Sequence, residues 1–118
     1  MSDCNIKNYS EREFAIKYAL NILNGKWKLQ IMWEISKLGT IRFNELQRNL
    51  DGISSIMLSR SLTELGEHNL VSRKQYNEIP PRVEYTLTDL GKSLCPVLHA
   101  LEDWGYKVFK ESNNINDK

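Results

Sequence analysis

The chain has 118 residues, 41% hydrophobic and 26% charged, proportions that fit one folded domain and exclude a low-complexity or disordered chain. Its 16 basic and 15 acidic residues leave a net charge of +1, so the whole molecule exerts no strong pull on phosphate, and two cysteines are too few for a disulfide framework. No apolar run approaches the roughly 18 residues needed to cross a bilayer, and the opening MSDCNIKN lacks a signal stretch, so a cytoplasmic protein with reduced thiols and no membrane partner is expected.

Ser10 and Glu13 have capping-box spacing, and Phe14, Tyr18 and the run 20–23 continue a first helix up to Asn24 and Gly25. Trp27, Ile31, Ile35 and Leu38 recur at helical steps and predict a second, core-facing helix that Gly39 ends. Thr40 and Ile41 allow a short strand, after which Phe43, Leu46 and Leu50 form the stripe of a short third helix. Asp51 and Gly52 supply a tight link to the next helix, which Ser54 caps and which Ile53 and Leu58 staple.

That fourth helix, residues 54–67, would be about 21 Å long, with Leu58, Leu62 and Leu65 as its buried seam and Asn69 as a left-handed cap. Segments 70–76 and 82–87 are rich in Val, Tyr and Thr and read as a hairpin, blunted at its tip by Pro80 and Pro81 so that it points outwards rather than into a larger sheet. Thr88 caps a last helical region with an apolar stripe of Leu90, Leu94, Val97, Leu98, Leu101, Trp104 and Val108, and Pro96 should kink or split it. The expected fold class is mainly α with a small β-hairpin (α+β), a winged helix-turn-helix in one domain of residues 1–111, followed by a disordered tail at 112–118.

A capped amphipathic helix running into a ribbon is the outline of a duplex reader, with the helix in the major groove and the ribbon on the backbone or minor groove. The outward residues Ser54, Ser55, Ile56, Ser59, Arg60 and Thr63 are candidate DNA contacts: hydroxyls for base or phosphate atoms, Arg60 bidentate to guanine, Ile56 against a thymine methyl. Arg42, Arg73, Lys74 and Arg82 are candidate phosphate or minor-groove contacts, Arg82 first among them. The competing readings are a solvated helix face and cross-strand pairing, for instance of Arg82 with Glu84. Residues 26–92 hold ten basic and eight acidic side chains, so any attraction must come from their arrangement.

Phe14 and Tyr18 with Leu94, Leu98, Leu101, Trp104 and Val108 form a candidate homodimer surface, the competing reading being an internal core. A twofold dimer would set two reading helices about 34 Å apart on a pseudo-palindromic operator. Trp27, Trp33 and Trp104 read as core before cavity, Cys95 and His99 lack the further ligands a metal needs, and His68 suits a helix C-terminus. No metal or cofactor is expected. The chain has no P-loop, GxGxxG or HExxH, and two histidines offer little for acid-base chemistry, so an enzyme is the weakest class. A winged helix used only for protein contacts is the runner-up.

Several motifs stand in order: GKW at 25–27, RFNEL at 42–46, GIS at 52–54, LVSR at 70–73, PPRVEYTLT at 80–88 and the Trp104-Gly105 pair. In these the chain resembles HxlR-type winged-helix regulators, relatives of the MarR group, over about residues 4–105. The resemblance implies a homodimeric transcription factor, often a repressor, that dimerises through its first and last helices. It also implies a trigger by electrophile or oxidant, because Cys4 falls where many members carry a responsive cysteine before the first helix; a small-molecule effector is the other candidate partner. Asn5 follows Cys4 where proline is common, Ile56 stands where lysine is common and Arg60 where glutamine is common, so operator sequence does not carry over.

Overall fold

The structure, a computed structural model, describes residues 12–114; the Ser10 cap and Cys4 lie outside them. Helix α1 (Ala15–Ile22) buries none of its side chains. Helix α2 (Lys28–Leu38) is the central one: Ile31, Met32 and Ile35 are fully buried, while Leu38, expected on that face, is half-exposed because Met32 takes the inward position. Gly39 ends α2 at φ 81°, its amide donating to the Ile35 carbonyl at 2.8 Å.

Strand β1 (Thr40–Arg42) leads into α3 (Phe43–Asn49), and a turn with Gly52 at φ 89° reverses the chain into α4 (Ser55–Glu67). The Ser54 hydroxyl oxygen accepts from the Met57 amide at 3.1 Å, a cap that stabilises such a helix by about 1 kcal/mol. Leu58, Leu62 and Leu65 face inwards as their spacing predicts, with Ile53 buried across the helix start. Asn69 turns the chain at φ 61°, and the Leu70 amide closes the helix end on the Leu65 carbonyl at 3.0 Å.

Strands β2 (Val71–Tyr76) and β3 (Arg82–Leu87) form the expected hairpin, with Val71 opposite Leu87 and Tyr76 opposite Arg82. The sheet is larger than the hairpin, however. β1 pairs antiparallel with the free edge of β3, giving the order β1-β3-β2 with Ile41 opposite Tyr85. The prolines blunt the tip but leave that edge open, and the three residues of β1 suffice to cover it.

One sheet face, Ile41, Val71, Tyr85 and Leu87, closes the core over α2 and the α4 leucines. Seven side chains, Ile31, Met32, Ile35, Ile41, Leu46, Leu58 and Leu65, are essentially sealed from solvent, each stabilising the fold by about 1.5–3 kcal/mol of transfer free energy. The other face carries the polar residues treated below.

The last helical region is split, as Pro96 requires. Helix α5 (Asp89–Lys92) is one turn, capped by Thr88, whose hydroxyl accepts from the Gly91 amide at 3.0 Å. Helix α6 (Cys95–Asn114) begins one residue before Pro96, which therefore sits in the first turn, where a missing N–H costs nothing. α6 continues to Asn114, into the stretch expected to be disordered. Among the described residues no helix is long and apolar enough to cross a membrane.

Candidate nucleic-acid interface

The turn between α3 and α4 is short and both helices are anchored by leucines, so the outward edge of α4 is held in a fixed direction. Ser55, Ile56, Ser59, Arg60 and Thr63 are all exposed along it. Phe43 of α3 joins Ser55, Ile56, Ser59 and Arg60 around an open recess of about 490 Å³. Ser54 is placed differently: its oxygen is spent on the helix cap, leaving only the hydroxyl hydrogen to offer a phosphate.

The hairpin cations divide by strand alternation. Arg73 shares the Val71 and Gln75 side of β2, the side that packs on α4, and its guanidinium donates to the Gln75 side chain at 3.4 Å. Arg42, Lys74 and Arg82 lie on the opposite face, where Glu84 stands in register between Arg42 of β1 and Lys74 of β2. Arg82 is held there by Glu78 at 3.1 Å and Glu84 at 3.4 Å, the second contact without hydrogen-bond alignment at Nε. The sequence points to Glu84 as its competing partner; the second carboxylate, Glu78, comes from the turn, whose backbone path alternation does not predict.

A further contact was not legible as a site residue. The Lys28 ammonium, 7% exposed at the start of α2, lies 2.7 Å from the Glu64 carboxylate of α4 and 3.4 and 3.5 Å from the Ile22 carbonyl and Asn24 Oδ1. The Glu64 carboxyl is held below its ordinary value by the hydrogen bond from Lys28 and then by that residue's charge, with smaller help from Arg60 and His68 against the effect of burial. The signal was present: Lys28 precedes Ile31, Met32 and Ile35 at helical spacing, so α2 carries a cation on its buried face and needs an acid opposite.

The candidate dimer residues separate into two groups. Phe14 and Tyr18, edge-to-face at 6.3 Å, are exposed on α1, and Leu101, Trp104 and Val108 are exposed on α6. Leu98 is not available to a partner: at 4% exposure it belongs to the core, and Leu94 packs against that core too, because the first turns of α6 rest on α2. The outward stripe is instead Val97, Leu101, Trp104 and Val108. Trp33 lines a recess of about 420 Å³ between α2 and α6 that neither Trp27 nor Trp104 borders. Cys95 turns to the core, whereas His99 meets Trp33 edge-to-face at 5.4 Å and approaches Glu102. His68 ends α4, as expected.

These helices, turn and ribbon have counterparts. The family model described as HxlR-like helix-turn-helix matches residues 22–113. The chain belongs to that family. It is accordingly a helix-turn-helix transcriptional regulator by kinship, and the family and its neighbours are regulators rather than enzymes. The HTH-type transcriptional regulator BH0655 of Halalkalibacterium halodurans is 41% identical over 102 residues, 86% of this chain and 88% of its own. Among solved structures, a MarR-family transcriptional regulator from Enterococcus faecalis V583 superposes with a TM-score of 0.75 at 39% identity, covering 95% of this chain and 98% of that one. The redox regulator HypR in its oxidised form gives a TM-score of 0.74 at 34% identity, covering 79% of this chain and 95% of its own. The HxlR-like winged-helix fold expected from the motifs is thus the fold observed.

Proposed function

We propose that this HxlR-like regulator binds duplex DNA as a homodimer in the cytoplasm and represses transcription from a pseudo-palindromic operator. The carrying observation is the outward edge of α4: five exposed residues with small hydroxyls and one arginine, on a helix whose other side is locked by three buried leucines. Ser55, Ser59 and Thr63 suit base or phosphate atoms, Ile56 a thymine methyl and Arg60 a guanine edge. Arg73 is the hairpin cation on the same side as α4; Arg42 and Lys74 are exposed on the opposite face, where Arg82 reaches phosphate only by exchanging Glu78 and Glu84 for it. Ser54 anchors the helix start and offers a single donor.

Dimerisation is supported by α1, which buries nothing, and by the exposed stripe of α6, a combination costly to leave in water. One domain spanning residues 1–111 and extended by the end of α6 then supplies both arm and reading head. The test is a mobility shift with a duplex selected by the protein from a random-sequence pool, titrated with salt. Affinity falling steeply with salt is expected through counterion release. No selected duplex at any salt would overturn the reading and favour a winged helix that contacts only protein.

A second reading, control by thiol oxidation, is favoured by the similarity to the redox regulator HypR. Cys4 is its candidate; Cys95 is half-buried against the core. Diamide should release DNA from the wild-type chain and leave a Cys4→Ser protein bound; release from both would remove Cys4 as the trigger.

A further inference from the structure

Arg60 and Glu64 stand four residues apart on α4, close enough to pair across one helical turn. They do not pair. Glu64 turns to Lys28 at 2.7 Å, and Arg60, exposed, has no ion pair or hydrogen bond to any described residue. We propose that Lys28 is a positioning residue for DNA recognition: it occupies the Glu64 carboxylate and so keeps the Arg60 guanidinium available to the duplex. The proposal rests on the DNA-binding reading above.

The competition between the two cations is decided by burial. An arginine and a glutamate on a solvated helix face gain little by pairing, and less in this order, with the cation N-terminal. A lysine 7% exposed on the core side of α2 loses far more when the Glu64 carboxylate leaves, because its other polar contacts among the described residues, the Ile22 carbonyl and Asn24 Oδ1, are neutral and long at 3.4 and 3.5 Å. Glu64 therefore stays with Lys28. The depressed carboxyl of Glu64 agrees, its first cause being the hydrogen bond from Lys28 and Arg60 contributing less. Without Lys28, Arg60 is the nearest cation left on the helix, and a glutamate one turn away would draw it from the groove.

Four variants of the full chain test this on the duplex selected by the wild-type protein. Lys28→Met, which keeps length and suits a buried site, should weaken binding by about twofold, the worth of one exposed pair across a helical turn. Lys28→Met combined with Glu64→Gln should restore it, because no carboxylate remains to capture Arg60. Lys28→Arg should bind as wild type. Should Lys28→Met fail to fold, Glu64→Gln decides, its binding scaled to the folded fraction read from a urea melt because it leaves Lys28 without that carboxylate. The folded protein should bind as tightly as wild type or tighter, since it removes a negative charge beside the duplex. An unchanged affinity in Lys28→Met, a double variant as weak as the single, or weakened binding by folded Glu64→Gln would each overturn the proposal. Wild-type protein that selects no duplex would refute the DNA reading instead.

Discussion

The Arg82 guanidinium lies 3.9 Å over the ring of Tyr76, its partner directly across the β2–β3 ladder, and two carboxylates close on it from the sides. Stacking fixes the plane of the cation while Glu78 and Glu84 occupy its edges. Glu78, at the turn, is the more exposed of the two acids. A Glu78→Gln protein should therefore bind DNA more tightly, by up to about 1 kcal/mol, with a steeper salt slope. Salt-titrated mobility shifts that show weaker binding would mean that Glu78 orders the wing for contact.

Gly91 should not tolerate a side chain. A Cβ there would collide with the backbone carbonyl of Leu70, which already accepts from the Thr88 amide at 3.1 Å and cannot step aside. Gly91→Ala is expected to cost about 1–3 kcal/mol, read as a lower urea midpoint. An unaltered midpoint would show that α5 can back away from the hairpin.

Leu98 and Trp104, six residues apart on α6 and on different faces of it, should give opposite phenotypes. Leu98→Ala empties a core site and should lose about 2–5 kcal/mol of stability. Trp104→Glu alters a side chain 63% exposed and should leave the unfolding midpoint of the protomer nearly intact while shifting sedimentation to the monomer. A Trp104→Glu protein that still sediments as a dimer would move the interface off this stripe.

Acid should weaken the junction of α2 and α4. The folded chain holds the Glu64 carboxyl below its ordinary value of 4.5, so it binds that proton more weakly than the unfolded chain does. The resulting stabilisation is complete above about pH 4.5 and drains away as pH falls through the lower folded value. Urea melts between pH 7 and pH 3 should show a fall in stability that Glu64→Gln partly flattens. Identical profiles for the two proteins would remove Glu64 as a contributor.

Helix positions and caps were legible in the sequence because their causes are local. Ser54, Thr88, Gly39 and Asn69 each satisfy or end a helix through atoms within a few residues, and the leucines of α4 declare their face by period. What escaped depends on contacts between distant segments. The pairing of β1 with β3 joins residue 41 to residue 85, and no alternation in three residues announces it. Leu98 reads as one more member of an apolar stripe, and only the seat of α6 on α2 divides that stripe into a buried and an open half. Of the candidate site, the exposure of the α4 edge followed from periodicity and Glu84 was a foreseeable partner of Arg82, while Glu78 beside Arg82 and Lys28 beside Glu64 were not, since a side chain's choice among several opposite charges is settled in space.

Glu78 and Glu84 together hold Arg82, the foremost hairpin cation of the proposed reading head, on a leash. A phosphate must outbid an acid already in place for Arg82, so arrival at an arbitrary stretch of genome returns little, and only a site that also satisfies the hydroxyl edge of α4 repays the exchange. A regulator so restrained should spend its search in brief touches rather than long residence on the wrong sequence.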